Sequence, residues 1–281
     1  MSTATTKERT ELKFTVGLAP SALPDLWRDI GRHIARHEYV PGHPITHNNT
    51  LYFDSDDCRL LKDGLLNRFD HLRIRARKYE YDAPLSEGAH DYYLELKRRQ
   101  GEIRRKERLL LERSELEALM AGKACSDSVL ARNRGEIEPD ACAALYREIQ
   151  RLVTEHGLKP FTLASYRRVA FESRTERLSI DWDIRYHPAN ASILRVPSLK
   201  DLPQSPAGRE DTVVMELKYT GELPGWLEGL RRTYPITDRT SFSKCDRGTR
   251  ALLQGPLRAR PDAPALLAML DTLKHDDEDD D

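Results

Sequence analysis

A chain of 281 residues with 39% hydrophobic and 32% charged residues can bury a substantial core. Lysine plus arginine (45) nearly cancel aspartate plus glutamate (46), leaving a formal charge of −1; because residues 276–281 are all acidic, the rest of the chain stands at +5. This composition excludes collagen-like, disulfide-rich and wholly disordered chains, and no apolar run is long enough for a membrane-spanning helix.

Residues 1–7 read as a disordered lead, without the apolar core of a signal peptide. Thr10 to Val16 alternates as a strand. Pro20 to Tyr39 predicts a helix, with Leu23, Leu26, Trp27, Ile30 and Ile34 at helical spacing and Ser21 as cap. From Thr50 the pattern turns mostly to strands, at 48–54, 65–69, 71–79, 91–99, 102–112, 162–173, 176–185 and 212–220, with Gln100-Gly101 as a hairpin turn. Ser114-Glu115-Leu116-Glu117 reads as a capping box opening a short helix, and Pro139 to His156 as a longer helix stopped at Gly157. Pro224 to Arg232 and Ser243 to Leu253 predict two final helices. The proline-rich stretch 188–211 reads as a long loop, and 255–281 as a mobile Pro/Ala segment ending in the acidic tail. One α+β domain over 8–254 is expected. Cys58, Cys125, Cys142 and Cys245 form no C-x-x-C pair, so a zinc ribbon or redox motif is not expected and a reducing cytoplasm is the expected compartment.

Alternate strand residues face opposite sides, so the charges sort onto one face. Arg73, Arg75 and Arg77 oppose Leu72, Ile74 and Ala76. Arg177, Ser179, Asp181 and Asp183 oppose Leu178, Ile180, Trp182 and Ile184. Arg104, Lys106 and Arg108 share a face, as do Tyr166 and Arg168. Glu-Leu-Lys occurs three times, at Glu11-Leu12-Lys13, Glu95-Leu96-Lys97 and Glu216-Leu217-Lys218. For one strand, the simplest reading is a solvated face. For the set, an excess of cations points to a shared interior that needs carboxylates, water or a polyanion. A basic nucleic-acid platform ranks low, since the cations alternate with apolar residues on strands. An outer-membrane barrel ranks low for want of a signal peptide.

These residues resemble the VTC-domain polyphosphate polymerases, within the triphosphate tunnel metalloenzyme (CYTH-like) superfamily. Nine pieces stand in the family's order: Glu11-x-Lys13, Thr50 to Asp54, Arg73-x-Arg75, Glu95-x-Lys97, Lys106-Glu107-Arg108, Tyr166 to Phe171, Arg177 to Asp181, Glu216-x-Lys218 and Phe242-Ser243-Lys244. The resemblance implies an eight-stranded antiparallel β-barrel tunnel with helices packed outside. It implies Lys13, Arg73, Arg75, Lys97, Arg168, Arg177 and Lys218 as catalytic phosphate ligands, with Lys106, Arg108, Ser243 and Lys244 binding substrate. Glu216, helped by Glu11, would hold Mn²⁺ or Mg²⁺. The implied reaction passes the γ-phosphate of a nucleoside triphosphate to an inorganic polyphosphate chain. Hydrolysis on the same tunnel, or polyphosphate binding without catalysis, are the alternatives; neither nucleic acid nor membrane is an expected partner. Arg9 replaces the first Glu of the superfamily's Glu-x-Glu-x-Lys strand, and Ser241 replaces a Lys found in eukaryotic members. His33 and His37, at i, i+4 spacing, are assigned to a solvated helix face, and Asp181 and Asp183 to ion pairing rather than metal binding.

Overall fold

The computed structural model describes residues 9–67, 69–82, 91–200, 202, 205–239 and 242–275. The expected lead at 1–7, the acidic residues 276–281 and Ser241 lie outside them.

Described residues form eleven strands and eight α-helices. In chain order these are β1 (Arg9–Val16), α1 (Leu23–Ile30), β2 (Arg36–His37), β3 (Thr46–Asp54), α2 (Arg59–Leu66), β4 (Asp70–Glu80), β5 (Tyr92–Gln100) and β6 (Ile103–Leu111). Then follow α3 (Arg113–Met120), α4 (Asp127–Arg132), α5 (Pro139–Glu155), β7 (Lys159–Glu172), β8 (Glu176–Pro188), β9 (Gly208–Glu210) and β10 (Val213–Thr220). The chain continues through α6 (Trp226–Thr233), β11 (Ile236–Arg239), α7 (Lys244–Gln254) and α8 (Ala263–His275).

One antiparallel sheet runs in the order β11-β1-β10-β8-β7-β3-β4-β5-β6, with β2 joined to β7 and β9 to β8. It is not the closed eight-stranded barrel that the resemblance implied. Among the described residues β6 and β11 are its free edges. Residues 103–108 of β6 are exposed throughout and include Arg104, Arg105, Lys106 and Arg108. A row of like charges keeps such an edge from pairing with another strand.

Alternation along the strands gives the sheet an apolar outer face in two patches. Leu51, Ile74, Leu94, Leu96 and Leu109 pack under α3, α4 and α5 through Leu116, Val129, Leu145 and Ile149. Phe14, Val169, Phe171, Ile180, Trp182, Met215 and Leu217 pack under α1 and α6 through Leu23, Leu26, Ile30, Leu227 and Leu230. At about 1.5–3 kcal/mol for each fully buried large side chain, this burial orients the strands and turns their charges to the other, inner face.

Helix α7 crosses that inner face. A small apolar seat of Tyr52, Ala164, Tyr166, Ile184, Tyr186 and Val214 receives Phe242, Cys245 and Ala251. Gly248 permits the approach, since a Cβ there would lie 2.6 Å from Thr162 Cγ2 and 3.0 Å from Tyr186 Cδ1. Behind α7, Leu252 and Leu253 pack on α2 and α8 through Leu61, Ala263, Leu266 and Leu270. The segment expected to be mobile therefore contains a packed helix.

Several local expectations change. Residues 59–66 form α2, so no strand runs over 65–69. The helix expected over 20–39 ends at Ile30, and His37 belongs to β2. The capping box of α3 is closed by Glu112 and Glu115, two residues earlier than the Ser114 start. The 188–211 loop contains β9 and a 3-10 turn at Ala191–Arg195. The four cysteines are free thiols. No helix among the described residues is long and apolar enough to cross a membrane.

Candidate functional site

Strand pairing assembles the site. Register sets Lys13 opposite Glu216 and Glu11 opposite Lys218 across β1 and β10, and Lys218 opposite Arg177 across β10 and β8. Arg168 faces Asp181 across β7 and β8. On the other flank Arg73 faces Lys97, Arg75 faces Glu95, and Lys97 faces Lys106 across β4, β5 and β6.

On the β1–β10 flank, Lys218 Nζ lies 2.9 Å from Glu11 Oε2 and 3.1 Å from Glu216 Oε1, while Lys13 Nζ lies 3.1 Å from Glu11 Oε1. Burial works to raise the Glu11 pKa, but Lys218 and Lys13 outweigh it and hold the carboxyl at about 2. Arg177 hydrogen-bonds the Tyr39 hydroxyl and sits 3.7 Å from Glu172.

On β7 and β8, Arg168 grips Asp181 bidentately at 2.6 and 2.8 Å, and Lys244 donates to Asp181 Oδ2 at 2.7 Å. Burial opposes ionisation of Asp181, yet the two cations keep its pKa at about 2. Lys244 Nζ also stands 4.4 Å from the Tyr166 ring centroid. Ser243 caps α7 by accepting from Asp246 N–H at 3.3 Å. Arg73 donates to Ser243 Oγ at 3.0 Å and to Asp246 at 2.9 and 3.1 Å, so it ties β4 to the start of α7.

The β4–β6 flank is more cationic. Arg75 Nε donates to Glu95 at 2.5 Å and Lys106 to the other Glu95 oxygen at 3.1 Å. Burial raises the Glu95 pKa, but Arg75, Arg77 and Lys106 together hold it at about 2. Lys97 makes no hydrogen bond or ion pair among the described residues. Burial first, then repulsion from Arg75, brings its pKa down to about 7.

Ten of the predicted phosphate ligands and both carboxylates, Glu11 and Glu216, thus come to the inner face or to the start of α7. Arg108 joins them at the rim: it shares the Lys106 face, stands opposite Glu95 in the β5–β6 register, is half exposed, leans on Glu136 at 3.4 Å and covers the Tyr93 ring at 5.2 Å. Arg77, outside the predicted set, belongs with them; it is half buried and donates to Thr50 Oγ1 at 3.1 Å. Its place was readable from the Arg73–Arg77 alternation. Asp246, Glu95 and Gly248 were also missed as site residues. Asp181 is an ion-pair partner as expected. Asp183 does not share its face: a left-handed φ of 51° and a register shift between Ser165 and Arg167 swing it to Arg185. His33 and His37 are not one helix face, since His33 stacks on Trp226 and His37 lies edge-on to Tyr39.

No group of three or more metal-type ligands occurs among the described residues. Glu11 and Glu216 are hard oxygen donors, and a magnesium-type ion needs only one or two protein carboxylates when phosphate oxygens complete its shell. The pair fits a cation that arrives with substrate. The Lys218 ammonium now lies between these two carboxylates.

The family model of the VTC domain matches residues 8–253, and the chain belongs to that family. No curated protein matches the sequence. Among solved structures, a Bacillus halodurans protein provisionally described as an adenylate cyclase is 14% identical, with 85% of this chain and 97% of that one covered and a TM-score of 0.42. A Vibrio parahaemolyticus protein with the same provisional description is 8% identical, with 85% and 96% covered and a TM-score of 0.38. A Pyrococcus horikoshii protein is 11% identical, with 79% and 89% covered and a TM-score of 0.31. Matches this remote assign no activity to the chain.

Proposed function

We propose that the inner face binds a nucleoside triphosphate and an inorganic polyphosphate chain and transfers the γ-phosphoryl group from one to the other. One observation carries this reading: Arg75, Arg77, Lys97 and Lys106 crowd around a single carboxylate, Glu95. A bound polyanion would offset that excess. VTC-domain membership supports the same substrate class.

A terminal oxygen of the acceptor chain attacks the γ-phosphorus as the bond to the β,γ-bridging oxygen breaks, and nucleoside diphosphate leaves. Such a transfer needs positioning and charge stabilisation rather than a protein nucleophile. Arg75 and Arg168 have planar forks suited to two phosphate oxygens, while Lys97, Lys106, Lys13 and Lys218 act as point charges. Lys97, with a pKa near 7 in the free protein, becomes fully charged beside the phosphates. Arg73, Ser243 and Lys244 position α7 over the phosphate path and add donors at its start. Arg177 extends the line of cations toward Tyr39. Glu216 and Glu11 would hold Mn²⁺ or Mg²⁺, which supplies further neutralisation of phosphate charge.

The test is incubation of the purified chain with ATP and Mn²⁺ or Mg²⁺. Polyphosphate growing alongside ADP is the expected result. Free phosphate without chains would make the protein a hydrolase, and tight polyphosphate binding without turnover would make it a binding module.

A further inference from the structure

A polar cavity of about 210 Å³ lies on the outer face of β7 and β8, behind the seat of α7. Ser165, Arg185 and His187 come from the two strands, and Lys200, Ser205 and Arg209 from the segment that follows. Strand alternation separates it from the phosphate-binding face: Tyr166, Ile184 and Tyr186, next in sequence to these floor residues, point to α7.

The cavity wall is fastened to the fold. Buried Glu80 accepts from the Leu199 and Lys200 amides, both at 3.0 Å, and from Asn49 Nδ2 at 2.6 Å. Lys78, paired with Glu80 at 3.1 Å, donates to the Pro197 carbonyl at 2.9 Å. This set of bonds holds the backbone at Pro197, Leu199 and Lys200 in one place.

Its chemistry suits an anion. Arg185 and Arg209 stand directly opposite in the β8–β9 register, where like charges repel. Asp183 occupies the Arg185 fork at 2.8 and 2.7 Å, and Asp82 takes Lys200 at 2.9 Å. No ion pair among the described residues occupies Arg209. His187 is only 4% exposed, yet its Nδ1 has no hydrogen-bond partner. Burial lowers its pKa, and a neutral ring can carry its proton on Nδ1 and donate it. A buried polar atom without a partner calls for one.

We propose that this cavity is a separate binding site for inorganic phosphate, held by Arg209, Lys200 and His187 with hydroxyl donors from Ser165 and Ser205. Its place on the opposite face of the sheet makes it independent of whichever reaction the inner face performs.

Two measurements on the full chain test it. Crystals soaked in tungstate, a tetrahedral oxyanion with a strong anomalous signal, should show a peak contacting Arg209 and His187. Calorimetric titration with inorganic phosphate should show a loss of about tenfold or more in affinity for Arg209→Glu and for Lys200→Met. Affinity of the same variants for tripolyphosphate should stay within about twofold, because the two sites share no partners. Arg209 is exposed, and melting temperatures verify that both variants fold. Tungstate confined to the inner face, wild-type phosphate affinity in both variants, or no phosphate binding by the wild-type chain would each overturn the proposal.

Discussion

On β7 and β8, Arg168 and Lys244 share Asp181 while Asp246 takes up Arg73 nearby, and α7 covers them all. Across the sheet on β4, β5 and β6, Glu95 serves Arg75 and Lys106, with Arg77 close by and Lys97 unmatched. Both regions are partly buried cationic faces, each built around a buried carboxylate. The first is internally neutralised enough to hold a helix in place; the second leaves charge over. Buried cations with partners are explained by the fold, whereas buried cations without them ask for a ligand.

The largest effect should come from breaking the matched side. Asp181→Ala leaves Arg168 and Lys244 buried without their acid and should cost about 3–5 kcal/mol in urea unfolding. Added tripolyphosphate should restore more stability to this variant than to the wild type. On the unmatched side, Lys97→Met should leave the melting temperature unchanged or higher, because it removes a dehydrated, repelled ammonium. It should nonetheless lower kcat/KM about a hundredfold, or about 2.7 kcal/mol of transition-state stabilisation. A Lys97→Met chain with full turnover would erase the distinction between the two regions.

Asp246→Asn sits between these. It weakens the grip of Arg73 on α7 and should destabilise the fold by about 1–3 kcal/mol, read by thermal melting. A subtler consequence concerns protons. The Lys97 pKa is lowered in the folded, empty protein, so between about 7 and its ordinary value the unfolded chain binds more protons. The sign is therefore that the destabilisation from Lys97 is present below that window and fades as pH rises through it. Phosphate bound beside Lys97 would restore the proton. Tripolyphosphate titrated near pH 8 in buffers of different ionisation enthalpy should show net proton uptake greater by nearly one proton in the wild type than in Lys97→Met, the ligand's own proton loss being common to both. Smallest of all, Arg108→Ala should change kcat/KM by less than about threefold, because Arg108 is half exposed and its pairing with Glu136 is a surface one.

Much of the site was legible because strand alternation is a local rule. The Glu-x-Lys and Arg-x-Arg repeats already placed Lys13, Arg75, Lys97 and Lys218 on one face, and the hydrophobic residues between them set which face was buried. What was not legible depends on contacts between distant segments. The Asp183 turn breaks alternation through a single left-handed residue. Arg73 reaches Asp246 across 173 positions of sequence, so its tie to α7 could not be read from its own strand. Gly248 carries no local signal in the sequence, and its purpose appears only where α7 meets Thr162 and Tyr186. Closure of the sheet was inherited from the family likeness rather than from periodicity, and the charged edge of β6 stands against it. Helix α8 was hidden because its apolar residues follow a proline-rich stretch and precede a run of acids.

The most direct test of the central claim is a crystal structure of the chain with tripolyphosphate and Mn²⁺. Phosphate density is expected along the inner face, with oxygens within hydrogen-bonding distance of Lys97, Arg75 and Lys218, and an anomalous manganese peak beside Glu216. Tripolyphosphate bound only elsewhere on the molecule, with Lys97 still unpartnered, would contradict it.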